Sequence, residues 1–93
     1  MDVTKTEMIN HLMEAIMTLQ TVDECEKFFS DLCTNEELNR ISRRVLIAKL
    51  IVEGETYRNI LKKTNAANIT ISRLKTVMSQ DDSVLLDVVK RIG

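Results

Sequence analysis

The stretch TYRNILKKTNAANITISRLKTV, residues 56–77, decides the fold of this chain. Thr56 can cap a first short helix, and the turn that follows it falls at Thr64-Asn65-Ala66. A corner of this kind requires a residue that tolerates a positive φ, and asparagine is the best substitute for glycine there. Two short helices joined by a tight turn are the layout of a helix-turn-helix, in which the second helix enters the DNA major groove.

The second helix of this motif is predicted to have an inward and an outward face. Ile71 and Leu74, with Ala66 in the turn, have the spacing of side chains that point into a core. The residues left outside to varying degrees are Ala67, Asn68, Ile69, Thr70, Ser72 and Arg73. Asparagine can contact adenine through two hydrogen bonds, and alanine and isoleucine methyls can pack on thymine methyls. We therefore predict that Asn59 and all of these residues except Arg73 face bases.

Positive charge is concentrated on the same stretch. The formal net charge of the 93 residues is −1, whereas residues 54–79 carry five basic side chains and the single acid Glu55. Phosphate contacts depend on local positive charge, so we predict them for Arg58, Lys62, Lys63 and Arg73. A solvated lysine-rich surface is the alternative interpretation of these charges.

The composition predicts an all-α protein of one domain over residues 1–93. Hydrophobic residues make up 44% of the chain and aromatic residues 3%, and there is no proline, so little interrupts helices or favours strands. Apolar periodicity and capping signatures predict four helices outside the motif. They are expected over residues 4–20, from Thr21 onward, from Thr34 to Val52 or Glu53 with Gly54 as the stop, and after Ser79 or Asp81-Asp82.

The helix after Thr34 is predicted to be the central one. Leu38 and Ile41 point inward in its first half, and its second half, VLIAKLIV at residues 45–52, is apolar on nearly every side. The first and last helices also have wide apolar faces. A core this small cannot hide all of that surface, so we predict a homodimer in which the first, central and last helices form a shared core.

Other kinds of site find little support in the sequence. Cys25 and Cys33 lack the further ligands of a metal site, and His11 has no catalytic constellation around it, so we predict no metal, no cofactor and no enzyme. No apolar run approaches the roughly 20 residues of a membrane span, and the N-terminal residues lack the features of a signal peptide. We expect a soluble, cytoplasmic protein with reduced cysteines.

The middle of the chain resembles a known family. The segments FFSDLCTNEEL (28–38), RRVLIAKLIVEGETYRNI (43–60) and TISR (70–73) resemble the Trp repressor superfamily, most closely its YerC/YecD-type branch. The resemblance implies a six-helix fold, an intertwined homodimer and helix-turn-helix units about one DNA turn apart. It also implies a bacterial transcriptional regulator.

The resemblance implies an effector pocket as well. In Trp repressors the corepressor lies between the central and recognition helices, at positions that correspond to Thr34, Arg44 and Arg73. Two arginines and a hydroxyl suit a carboxylate and a flat ring. Repressors have glycine at the next position, whereas this chain has Leu74, whose side chain would occupy the space of the ring.

A structural interpretation of these residues competes with the effector pocket. Thr34 then caps a helix, Arg44 forms an ion pair and Arg73 contacts phosphate. We accordingly predict a DNA-binding regulator that does not respond to tryptophan. The alternative functions are a regulator that senses another small effector and an interaction module that docks an acidic partner.

Overall fold

The structure, a computed structural model, describes residues 2–92, and these residues form six α-helices and no strand. The helices are α1 (Lys5–Met17), α2 (Val22–Leu32), α3 (Asn35–Val52), α4 (Tyr57–Thr64), α5 (Asn68–Met78) and α6 (Val84–Arg91). The all-α prediction is confirmed. The chain divides into two compact units, with the boundary between Asn35 and Glu36. None of the helices in the described residues is long and apolar enough to cross a lipid bilayer.

Threonine caps begin both helices of the first unit. The Thr4 hydroxyl accepts the Glu7 N–H at 3.1 Å, and the Glu7 carboxylate accepts the Thr4 N–H at 3.0 Å, which completes a capping box. Thr21 caps α2 as predicted, accepting the Glu24 N–H at 3.0 Å. The Glu24 carboxylate accepts the N–H of Gln20 at 3.1 Å, one residue earlier than a capping box requires.

Two of the predicted helix boundaries are wrong. The first helix, expected over residues 4–20, ends at Met17, where the Thr18 hydroxyl donates to a carbonyl of the last turn at 2.7 Å. The last helix is capped by Ser83, whose hydroxyl accepts the Leu86 N–H at 3.2 Å, and not by Ser79 or an aspartate. In both cases a hydroxyl that bonds to nearby backbone sets the boundary.

The buried core of the described residues lies entirely in the second unit. It forms two clusters, the first of Ile47, Leu50, Ile60, Ala66, Ile71 and Leu74 and the second of Ala48, Met78 and Val89. Ile51 and Leu85 pack against both clusters. Since α3 contributes to each cluster, it is the central helix of this unit, as predicted. It begins directly after Thr34 and gives way to Gly54, whose φ of +81° suits glycine alone.

Burial along α3 differs from the prediction in one respect. Ile41, expected to point inward, is 48% exposed, and Leu38 is half-buried. In the second half of the helix Val45 and Leu46 are 38% and 44% exposed. Helices α4 to α6 are too few to surround α3, so they cover one side of it and leave the other side apolar and exposed.

Candidate nucleic-acid interface

The corner between α4 and α5 has the predicted geometry. Asn65 lies in the left-handed region at φ 52° and ψ 32°, and its N–H donates to the Leu61 carbonyl at 2.8 Å. Buried Thr64 closes the turn from inside, because its hydroxyl donates to the Ile60 carbonyl at 2.7 Å and accepts the Ala66 N–H at 3.3 Å. The prediction of an asparagine corner is confirmed.

Two contacts fix the start of α4. The Thr56 hydroxyl accepts the N–H of Asn59 at 3.2 Å, as expected of the N-cap. The ammonium of Lys75 on α5 lies 5.7 Å from the centroid of the Tyr57 ring, within the range of a cation–π interaction. Helices α4 and α5 are therefore joined at the turn, through the core and by this contact near the start of α4.

The faces of α5 match the predicted pattern. Ile71 is completely buried and Leu74 is 8% exposed, whereas Ile69 is 78% exposed. On the outward side Ala67, Asn68, Ser72 and Arg73 are exposed, and Thr70 is half-buried. The N-cap of α5 is Ala67, which has no side-chain oxygen and makes no side-chain capping bond. The first turn of α5 therefore presents backbone N–H groups without a side-chain cap.

The polar residues of α4 lie in two neighbouring rows. Arg58 and Lys62, four residues apart, are both exposed. In the next row, one oxygen of Glu55 accepts a hydrogen bond from Lys63 at 2.9 Å and the other accepts one from the Asn59 amide at 3.1 Å. These bonds, that from Lys63 foremost, hold the pKa of Glu55 below its ordinary value. Glu55 is therefore a carboxylate at neutral pH, and two of the four polar residues predicted on α4 are bonded to it.

Three arginines of α3 line a cavity at the start of α5. Arg40, Arg43 and Arg44 share this cavity of about 180 Å³ with Ala66, Ala67 and Thr70. We call it the arginine cavity. Its lining, which lies wholly within the described residues, contains no acidic side chain. Three guanidinium groups beside the positive end of a helix attract anions such as phosphate or carboxylate.

The residues of the predicted effector pocket lie in different places. Leu74 belongs to the buried core. Arg44 lines the arginine cavity, whereas Arg73 lines another cavity, of about 370 Å³, with Ile69 and Ser72. Thr34 directly precedes α3, at the end of the first unit. Arg44 and Arg73 thus line different cavities of the second unit.

Three residues of the interface were not singled out from the sequence. Arg40 and Arg43 are absent from the predicted site, although Arg40 and Arg44 are four residues apart and so lie on one face of a helix. Glu55 was counted only as the single acid of a basic stretch, although Glu55, Asn59 and Lys63 follow one another at steps of four. Both signals are visible in the spacing.

Among the described residues, no group of three or more histidine, cysteine or acidic side chains has the arrangement of a metal site.

Comparison with known proteins identifies the family. The family model described as Trp repressor protein matches residues 7–92. The protein YerC of Bacillus subtilis (strain 168) is 35% identical over 78 residues, which are 84% of this chain and 75% of YerC. The structure of a TrpR-like protein from Eubacterium eligens is similar with a TM-score of 0.85 and 36% identity, covering 96% of this chain and 92% of the other.

A second solved structure agrees with this assignment. It is the crystal structure of a provisionally assigned Trp repressor from Staphylococcus aureus, with a TM-score of 0.82 and 36% identity over 90% of this chain and 84% of the other. Both structural relatives share the fold at an identity that also indicates common descent. The chain belongs to the Trp repressor family.

Proposed function

We propose that this protein is a homodimeric, sequence-specific DNA-binding regulator of transcription that reads DNA with α5. The observation that carries the proposal is the outward face of this helix. Ile69 is 78% exposed on a helix whose opposite face is buried; exposed Asn68 directly precedes it, and exposed Ser72 follows three residues later. A large apolar side chain among amide and hydroxyl groups suits the major groove, where thymine methyls lie beside hydrogen-bonding atoms. We assign the base contacts to Asn68, Ile69 and Ser72 first, with Ala67 and Thr70 at the edges.

Contacts to the DNA backbone come from the cations around this face. Arg58 and Lys62 on α4 and Arg73 on α5 are exposed and suited to phosphates. The arginine cavity supplies three more cations at the start of α5, where backbone N–H groups without a side-chain cap also favour an anion. A phosphate at this position would fix the start of α5 against the groove.

The homodimer is supported by apolar side chains that the single chain leaves exposed. They lie on the first, central and last helices: Met8, Ile9, Leu12, Met13 and Met17 on α1, Ile41, Val45, Leu46 and Val52 on α3, and Val84 and Val88 on α6. Single exposed apolar residues are ordinary, but stripes of them on three helices are typical of subunit interfaces. Two copies related by a twofold axis would present two α5 helices to successive major grooves.

The position of Leu74 argues against tryptophan as an effector. Its side chain is 8% exposed and packs with the core residues Ile47 and Ile71. A flat ring at this position would have to displace it. The arginine cavity favours a second candidate function, a regulator that senses a small anion. Such a ligand would raise the melting temperature because it binds the native state, and tryptophan would not.

The test of DNA reading is selection of bound duplexes from a random pool, with and without an amino-acid mixture. On the selected duplex, Asn68→Ala should lose about 1–3 kcal/mol of discrimination at one base position. Lys62→Ala should instead weaken all sequences alike and lower the slope of log affinity against log salt by about one for each chain that contacts the duplex. If the two variants behave alike, the division into base and phosphate contacts is wrong.

The same experiment separates DNA binding from the docking of an acidic protein. A pool that shows no enriched sequence and no salt-dependent binding to duplex DNA, together with binding to acidic peptides, would favour the interaction module. Enrichment only in the presence of the amino-acid mixture would favour the effector-dependent regulator.

A further inference from the structure

We propose that Glu55 is a positioning residue that holds Asn59 and Lys63 away from DNA, so that α4 meets the phosphate backbone with Arg58 and Lys62 alone. The inference rests on the proposed DNA-binding function and revises the contacts predicted for Asn59 and Lys63. It assigns Glu55 the task of limiting how strongly the protein binds any DNA, whatever its sequence.

The geometry of the Glu55 side chain carries the inference. Each of its two oxygens has its own partner: Oε1 accepts from the Lys63 ammonium at 2.9 Å and Oε2 from the Asn59 amide at 3.1 Å. Asn59 and Lys63 are four residues apart and so lie on one face of α4, and Glu55, which precedes the N-cap Thr56, reaches both of them. One carboxylate thus engages both polar groups of this row.

Glu55 is also fixed in place by the backbone. It directly follows Gly54, whose φ is +81°, and its N–H donates to the Leu50 carbonyl at 3.1 Å. The Glu55 side chain is 25% exposed, whereas that of Lys63 is 52% exposed. The Glu55 carboxylate is therefore the more enclosed partner of the pair, and the Lys63 side chain is the more exposed one.

The charge of Glu55 makes it an internal competitor for phosphate. A glutamate is ionised at neutral pH, and the hydrogen bonds from Lys63 and Asn59 lower the pKa of Glu55 further, which shows that they favour its charged form. A DNA phosphate that approaches α4 offers Lys63 the same kind of oxygen that the lysine already contacts. When Lys63 exchanges the Glu55 carboxylate for a phosphate, the protein gains little binding free energy. A phosphate next to Arg58 or Lys62, in contrast, forms a new contact.

The expected size of the effect follows from counterion release. Each phosphate that a protein neutralises steepens the slope of log affinity against log salt by about 0.9. If the contribution of one such contact vanishes near 1 M salt, the contact raises the affinity roughly fivefold at 0.15 M salt. Removal of Glu55 frees Lys63 for one more such contact in each chain.

The experiment measures binding of the full chain to a random duplex over a range of salt concentrations. Glu55→Ala should bind more tightly at 0.15 M salt by about fivefold for each chain that contacts the duplex, with a slope steeper by about one for each such chain. Glu53→Ala is the matched control, because Glu53 is a nearby exposed acid whose loss changes the net charge equally. It should leave the slope unchanged. Glu55→Gln, which keeps the size of the side chain, should behave as Glu55→Ala if charge is the cause.

Variants of Lys63 separate a role in DNA binding from a role in folding. Lys63→Ala alone should leave the salt slope unchanged, whereas Lys62→Ala should lower it by about one for each chain that contacts the duplex. The double variant Glu55→Ala/Lys63→Ala should return to the wild-type slope. The inference is overturned if Lys63→Ala lowers the slope as much as Lys62→Ala, or if the Glu55 variants bind as Glu53→Ala does. A wild-type protein that binds no duplex DNA would instead overturn the proposed function itself.

Discussion

The two units of the chain differ in what they bury. The second unit holds nine buried apolar side chains, whereas α1 and α2 of the first unit have no buried residue. The first unit is not polar, since Met8, Leu12 and Met17 along α1 are 58%, 37% and 83% exposed. Hydrophobic burial is the main favourable term in folding, so the second unit has a source of stability of its own. The first unit requires another surface to cover its apolar stripe.

The same difference in burial explains why the candidate nucleic-acid interface lies in the second unit. Helices α4 and α5 are anchored by Ile60, Ile71 and Leu74 in the core of the second unit. A helix that reads DNA must hold its side chains in a fixed position, and a rigid packed scaffold provides this. The first unit supplies no residue to the proposed base and phosphate contacts, and we expect its contribution to come through the dimer.

The largest change in the free energy of unfolding is expected in the buried core of the second unit. Leu74→Ala should lower the free energy of unfolding by about 2–5 kcal/mol, because it removes buried methyl groups and leaves a cavity. Ile69→Ala, on the exposed face of the same helix, should change it by less than about 0.5 kcal/mol. Urea unfolding at one fixed protein concentration measures both. Similar values for the two variants would mean that the faces of α5 are wrongly assigned.

Most of the fold was predictable because local chemistry determines it. The Thr21 and Thr56 caps, the stop at Gly54 and the corner at Asn65 each follow from the preference of one residue type for one backbone position. The start of α6 was not predictable in this way. Several nearby residues can cap a helix, and the one that does so is Ser83, which is buried in the folded chain.

The site was predictable in its faces but not in its contacts. Alternation of apolar and polar positions gives the inward and outward sides of α5, because that pattern depends on helix periodicity alone. Whether Lys63 points to solvent or to Glu55 depends on the angle at which the chain enters α4. Likewise, Arg40, Arg43 and Arg44 form a cavity only because the start of α5 lies against them. Such contacts are set by tertiary structure, which a single sequence does not contain.

A second prediction addresses the exposed stripe of the first unit. Leu12→Ser should weaken self-association in the proposed homodimer. Leu12 is 37% exposed in the single chain, so covering it contributes roughly a third of the 1.5–3 kcal/mol for full burial of a leucine. With two copies in each dimer, the dissociation constant should rise about tenfold. Asn10→Ser, on the same helix, is the control and should leave association unchanged. Sedimentation equilibrium measures both, and a wild-type protein that is monomeric at high concentration would contradict the shared core.

The smallest change in the free energy of unfolding is expected at the corner of the helix-turn-helix, where the left-handed backbone of the turn depends on one residue. Asn65 holds φ 52°, a conformation that costs an alanine about 1–2 kcal/mol and a glycine almost nothing. Asn65→Ala should therefore lower the free energy of unfolding by about 1 kcal/mol, whereas Asn65→Gly should leave it nearly unchanged. Chemical denaturation gives the free energy of unfolding of both variants. Both lack the side-chain amide of Asn65, but only the alanine is strained in the left-handed conformation, so the difference between them measures backbone strain alone. Equal losses would show that the asparagine side chain, and not the left-handed backbone, stabilises the turn that positions α5.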